Sequence, residues 1–184
     1  MYFITHPEVI IDPNLPISLW DYSERGAARL EKILKKIWIK SVETIYSSDE
    51  PRATKAAQLI ADQLGYRLHV LEELGDVNRS STGTVPHQEY TGLMDNFYNA
   101  PEKSVRGWEK ALDAQKRILL GIDKILALSP SSRFIALVSH TNMANLLLCK
   151  IKGIPIERIQ NPPMTFSFEV EPGGKPQNWK SLDL

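Results

Sequence analysis

Five apolar residues in a row, Phe134-Ile135-Ala136-Leu137-Val138, constrain this chain more than any other feature. A strand with one wet face alternates apolar and polar residues; an unbroken run fits a strand covered on both faces, as in a parallel sheet packed between helices. The rest of such a sheet is present. Tyr2-Phe3-Ile4, ended by Pro7, reads as a buried first strand. Thr44-Ile45-Tyr46 is β-branched and aromatic, Leu68-His69-Val70 is a short third strand, and Phe166-Ser167-Phe168-Glu169-Val170 alternates as a final strand with a wetter face. Helical periods fill the gaps. Ser23 is a candidate N-cap for a helix with Ala27, Leu30, Ile33, Leu34 and Ile37 on one face. Ser47-Ser48-Asp49 is a capping cluster ahead of Pro51, with Ala53, Ala56, Ala57, Ile60 and Leu64 on one face and Gly65 as the stop. Trp108, Leu112, Leu119, Ile122 and Leu126 form the stripe of a long helix, broken at Ser129-Pro130-Ser131-Ser132, and an apolar helix runs from Met143 to about Lys152. Residues 8–22, rich in proline, predict a loop. Residues 74–102, with Gly75, Gly83, Pro86, Gly92 and Pro101, predict a long loop that is functional or carries small structure of its own. Strands and helices that alternate in this way point to an α/β fold: a mostly parallel sheet with helices on both faces.

The 184 residues fit a single domain spanning 1–184, long enough to bury a core without staples. Lysine plus arginine equals aspartate plus glutamate at 22 each, so no basic excess argues for a nucleic-acid partner. No apolar run approaches the roughly 18 residues needed to cross a bilayer, and the start lacks the basic flank and apolar stretch of a signal peptide. The lone cysteine, Cys149, permits no internal disulfide. These features suit a cytoplasmic protein with no membrane partner.

Ligands of such sheets bind beyond the carboxyl ends of the strands. Three strand-to-helix junctions carry reactive groups there: His6 after the first strand, Arg52 in the first helical turn after the second, and His140 after the fourth. A helix N-terminus favours an anion, and two histidines with an arginine beside it would make a phosphate site. Each residue also has a plain reading, since a histidine after a strand is more often a satisfied structural group and an arginine at a helix start a solvated one. Cys149 reads as a small buried hydrophobe, His69 as structural and His87 as a solvated loop histidine. Trp20, Trp38, Trp108 and Trp179 read as packing residues.

The ordered set of motifs resembles the histidine phosphatase (phosphoglycerate mutase-like) superfamily. That family shows R-H-G after its first strand, a polar-glycine stretch opening the first helix, S-S-x-x-x-R-A-x-x-T-A after the second strand, L-x-E after the third, and an apolar strand ending in S-H-G. Here the matching segments are Phe3-Ile4-Thr5-His6-Pro7-Glu8, Tyr22-Ser23-Glu24-Arg25-Gly26, Ser47-Ser48-Asp49-Glu50-Pro51-Arg52-Ala53-Thr54-Lys55-Ala56-Ala57, Leu71-Glu72-Glu73 and Leu137-Val138-Ser139-His140-Thr141-Asn142. The resemblance implies a three-layer α/β/α fold and a phosphatase in which His6 becomes phosphorylated. It implies that Arg52 grips the phosphate, His140 supports the pentacoordinate charge, and Glu73 protonates the leaving oxygen. Thr5 and Thr141 fall at substrate-binding positions, and residues 74–102 would cover the substrate. The resemblance implies no metal and no cofactor, and no spaced cluster in the sequence asks for a metal. The implied partner is a small phosphorylated molecule or a phosphoprotein.

Three departures fall inside these motifs. Thr5 stands for the family arginine, Pro7 for the glycine after the nucleophile, and Thr141 for the glycine after the second histidine. The lost arginine removes up to two charge-assisted hydrogen bonds, each worth roughly 1.5–3 kcal/mol. Arg79, in the 74–102 segment, is the candidate for restoring that charge. The alternative to phosphomonoester hydrolysis is a catalytically weak or inactive module binding a phosphate ligand or partner; weaker alternatives are a protein phosphohistidine phosphatase and a phosphoglycerate mutase. The chain is short for the last of these.

Overall fold

The computed structural model describes residues 1–16, 19–170 and 175–182. At its centre lies β4 (Ile135–Ser139), every residue of which is buried. It pairs in parallel with β1 (Tyr2–Thr5) on one side and β2 (Thr44–Ser47) on the other. β3 (Leu68–Val70) adds in parallel to β2, while β5 (Thr165–Val170) and β6 (Pro176–Ser181) continue antiparallel beyond β1. The order β3-β2-β4-β1-β5-β6 makes a mixed sheet with a parallel centre. Sequence reading missed β6: Pro-Gln-Asn-Trp-Lys-Ser is a polar edge strand with no apolar alternation to betray it.

The strands divide their side chains between two cores, as a period of two requires. Phe3, Tyr46, Ile135 and Leu137 face one core with α3 (His87–Asn99), α4 (Ala111–Leu128) and α5 (Thr141–Lys152). Ile4, Ile45, Ala136 and Val138 face the other with α1 (Glu24–Leu34) and α2 (Pro51–Leu64). This is the three-layer arrangement the unbroken apolar run anticipates.

Helix ends follow the local chemistry. Ser23 caps α1, its hydroxyl accepting from the Gly26 N–H, and Gly65 closes α2 in a left-handed conformation at φ 72°. The Ser47-Ser48-Asp49 cluster does not cap α2: the N-cap residue is Glu50, with no side-chain cap bond. Three further expectations change. Ile37 is 88% exposed in a 3-10 turn rather than on the α1 face. In α4 the buried face is Ala111, Ala114, Ile118, Ile122 and Ile125, whereas Trp108 precedes the helix and Leu112, Leu119 and Leu126 are half-buried. Small alanines let this helix approach closely, which a search for large apolar residues passes over. The 74–102 segment is not loop throughout: it holds α3, whose Leu93, Met94, Phe97 and Tyr98 are buried, so His87 begins a helix.

Among the described residues no helix is long and apolar enough to cross a membrane.

Candidate active site

Strand register alone brings the two histidines together. Thr5 is paired with Ser139 across β1 and β4, so His6 and His140 are the next residues of adjacent parallel strands. The His6 N–H donates to the Ser139 carbonyl at 2.8 Å, and the two imidazole centroids stand 5.1 Å apart, edge to face at 61°. Ser47 is paired with Val138, which carries Ser48 to the same rim; its hydroxyl lies 2.9 Å from His140 Nε2. Arg52, in the first turn of α2, completes the group with Nη2 3.4 Å from His140 Nδ1. Because arginine only donates, His140 Nδ1 accepts, and the proton of its neutral ring sits on Nε2.

His6 has the opposite tautomer. Its Nδ1 lies 2.6 Å from the Pro7 carbonyl, which only accepts, so Nδ1 bears the proton and Nε2 keeps a free lone pair. Burial and then the Arg52 guanidinium lower His6 to about 4, so the ring is neutral near pH 7. Burial likewise pushes His140 well below its ordinary value, with Arg52 acting in the same direction and Asp76 opposing.

His6, Arg52, Arg79 and Thr141 line one cavity of about 440 Å³. Its walls also carry Trp20, Tyr90, Asn142, Asn145 and Arg158. Arg79 reaches it from the loop before α3, its guanidinium over the rings of Tyr90 at 5.0 Å and Trp108 at 5.8 Å.

Three of the expected residues do not line this cavity: His140 is fully buried beside His6, and Thr5 and Glu73 lie elsewhere. Thr5 does not face the cavity. It is fully buried inside the sheet, where its short side chain donates to the Met164 carbonyl and accepts from Arg29 Nη2, both at 3.0 Å. Arg29 also donates to the carbonyls of Thr5 and His6, tying α1 to β1 and the residue after it. Glu73 ends the third-strand motif as expected, but its carboxylate pairs with Lys124 of α4 and lines a second, larger cavity of about 1320 Å³. The hydrogen bond from Lys124 holds it below its ordinary value.

Two carboxylates that sequence reading passed over stand beside Arg52. Glu50 meets Arg52 Nη2 at 2.5 Å and His140 Nε2 at 3.3 Å, and it accepts from the Asp76 N–H at 2.7 Å. Burial and the Asp76 charge push Glu50 up to about 7. Asp76 lines the His6 cavity and accepts from Val77 N–H at 2.9 Å, from Asn142 Nδ2 at 3.2 Å and from Arg79 Nη2 at 3.3 Å, with Arg52 at 3.5 Å. Burial by itself would raise Asp76, but the Arg79 and Arg52 guanidinium groups and the Val77 N–H outweigh it and hold the group below the carboxylate range. Both acids sit among many surface acids in the sequence, and only burial distinguishes them. Among the described residues no group of three or more His, Cys, Asp or Glu side chains is placed to hold a metal.

An imidazole with a lone pair on Nε2 and two guanidinium groups around one cavity, with a second imidazole buried beside them, suit an anion. The model of the histidine phosphatase superfamily, branch 1, matches residues 9–169. The chain belongs to this superfamily. His6 stands just ahead of the matched segment, so its place in the site rests on strand register. A protein of Hydrogenobacter thermophilus with the provisional name phosphoserine phosphatase 2 is 24% identical over 149 residues, 77% of this chain and 71% of that one. Among solved structures, the fold resembles Bacillus stearothermophilus YhfR, with a TM-score of 0.77, 21% identity and coverage of 95% of this chain and 92% of that one. It also resembles mycobacterial glucosyl-3-phosphoglycerate phosphatase in complex with inorganic phosphate, with a TM-score of 0.78, 15% identity and coverage of 98% and 93%.

Proposed function

We propose that this chain hydrolyses a phosphomonoester through a phosphohistidine on His6. The observation that carries the reading is that His6, whose Nδ1 is engaged by the Pro7 carbonyl so that Nε2 keeps its lone pair, lines one cavity with Arg52 and Arg79 and stands 5.1 Å from the buried His140 ring. In this reading the lone pair of Nε2 attacks phosphorus, Arg52 grips the equatorial oxygens, and His140 flanks the pentacoordinate group. Arg79 supplies the cation that Thr5 does not. Thr141, at the start of α5, lies where backbone N–H groups and the helix dipole favour an anion. The names of the relatives, phosphoserine phosphatase and glucosyl-3-phosphoglycerate phosphatase, support phosphomonoester chemistry. A cavity of about 440 Å³ suits a small phosphorylated molecule better than a protein surface. The chemistry needs no metal, so turnover is expected to survive a chelator.

One observation favours a second reading, a module that binds a phosphorylated ligand without turnover: Arg52 and Arg79 already hold the Asp76 carboxylate, which an incoming phosphate must share or displace. Incubation with p-nitrophenyl phosphate separates the two. The expected result is phosphate release with an acid-labile, base-stable phosphoenzyme, both lost in His6→Ala with a rate drop on the order of a thousandfold. Equal release by the two proteins removes His6 from the reaction, and phosphate binding with no phosphoenzyme establishes the second reading.

A further inference from the structure

We propose that Asp76, rather than Glu73, is the carboxyl group that protonates the leaving oxygen and later takes a proton from water. The inference rests on the phosphatase reading above and deepens it. A proton donor must reach the oxygen being expelled from phosphorus, so it must share the cavity of the nucleophile. Asp76 does so, lining the same cavity as His6, Arg52 and Thr141. Glu73 pairs with Lys124 and lines only the larger cavity, which shares Asp76 and Arg79 with the first. The Asp76 carboxylate also has its orientation fixed, by Val77 N–H at 2.9 Å and Asn142 Nδ2 at 3.2 Å. Arg117 fixes the backbone beneath it. Its guanidinium donates to the Asp76 carbonyl at 2.9 Å and the Gly75 carbonyl at 2.8 Å, and Glu109 steadies the guanidinium at 2.8 Å. Such support from surrounding groups is what a proton donor needs to stay aimed at one atom.

Arg52, Arg79 and Asn142 stabilise Asp76 as a carboxylate, but they are the same groups that would receive the phosphate. A phosphoryl group entering among them takes over their positive charge and places negative charge beside Asp76, and like charges at this range favour protonation of one partner. The substrate brings the proton, because a phosphomonoester has its second pKa near ~6 and arrives partly as the monoanion. Asp76 takes that proton and becomes the acid. His6 Nε2 then forms the P–N bond as the P–O bond breaks, and the departing oxygen takes the Asp76 proton and leaves as an alcohol. Asp76, again a carboxylate, takes a proton from a water whose oxygen attacks phosphorus. The P–N bond breaks and its electron pair returns to Nε2; Asp76 then passes its proton to the orthophosphate, which departs as the monoanion and leaves Asp76 a carboxylate as at the start.

The test compares two esters whose leaving groups differ in their need for a proton. Glycerol 2-phosphate expels an alkoxide, whereas p-nitrophenyl phosphate expels a stabilised phenolate. For Asp76→Asn the expected kcat falls on the order of a hundredfold or more with the glycerol ester and less than about tenfold with the nitrophenyl ester. The retained nitrophenyl activity shows that the variant is folded, and Asp76→Glu, which keeps the carboxyl, recovers part of the glycerol activity. Equal losses on both esters overturn the inference, as does wild-type activity confined to the nitrophenyl ester. A leaving-group-dependent loss in Glu73→Gln but not in Asp76→Asn returns the role to Glu73. Wild-type turnover lost in His6→Ala keeps the phosphatase reading intact under any of these failures, so the two claims are separable.

Discussion

Glu50 and His6 carry opposite proton balances into the folded state. Burial and the Asp76 charge raise Glu50 from an ordinary 4.5 up to about 7, with Arg52 opposing them, so between those values the folded chain holds a proton that the unfolded chain has released. Stability from this group falls as pH rises through that window and stays low above it. His6 is lowered from 6.5 to about 4, so there the unfolded chain binds the extra proton and stability rises with pH through 4 to 6.5. The two slopes oppose each other where the windows overlap, and the wild-type profile conceals both. Glu50→Gln keeps the shape and removes only the falling part. It should change stability little at pH 4 and raise it at pH 8 by on the order of 2–3 kcal/mol. Urea unfolding at the two pH values checks this, and an equal effect at both would deny that Glu50 is strained by burial. A carboxyl held against its preference next to Arg52 and His140 fits a site that sacrifices stability to function. None of this was legible in the sequence, where Glu50 is one acid among 22; its burial follows from the packing of α2 against β2 and the loop after β3.

The elements were legible in proportion to how regular their apolar pattern is. β4 was recognisable because it is buried on both faces, and α2 because alanines, Pro51 and Gly65 mark its face and ends. α3 was hidden by Gly92 and by mixed polarity, α4 by its alanine face, and β6 by edge polarity. The site divided similarly. His6, Arg52 and His140 follow from where strands end, whereas Glu73 and Asp76 depend on the path of an irregular segment that no period describes. Gly26 shows how an element can govern the site through one close approach. A methyl group there would lie 2.4 Å from the Glu8 carbonyl oxygen and 2.8 Å from Pro7 Cβ, distances that real Cβ atoms do not tolerate. The contact is with backbone, so α1 must withdraw from the loop that carries His6. Ser23 adds its N–H to the same Glu8 carbonyl at 2.7 Å, which leaves little room to adjust. An alanine in a helix ordinarily gains about 1 kcal/mol over glycine. Here Gly26→Ala is expected to lose about 1–3 kcal/mol instead, as overpacking does, and to weaken phosphate binding with it. The urea midpoint gives the sign directly, and a gain in stability would mean that the loop moves freely from the helix.

Across the whole molecule, the site lies where three parallel strands end between two separate cores, so a ligand there touches elements from both. α2, packed on one core, supplies Arg52; α5, packed on the other, supplies Thr141; β1 and β4, shared by both, lead into the histidines. An anion bound at this junction ties the halves together, and anything that binds only the folded chain stabilises it. At a hundred times its dissociation constant, orthophosphate should add about 2.7 kcal/mol. For a chain of this size that corresponds to a rise in Tm of about 5–10 °C. Charge decides which cavity the ion chooses. The larger cavity is lined by Asp49, Glu50, Glu72, Glu73, Asp76 and Glu109 against Arg79 and Arg117, an excess of carboxylates that repels phosphate. The smaller one has Arg52, Arg79 and Arg158 with Asp76 as its acid. The shift should therefore depend on Arg52. In Arg52→Ala the absolute Tm falls because Glu50 and Asp76 lose their shared cation, but the readout is the increment on adding phosphate, which should shrink to about a third or less of the wild-type value. Chloride at matched ionic strength gives the baseline for screening. An undiminished increment in the variant would put the anion somewhere other than beside the two imidazoles.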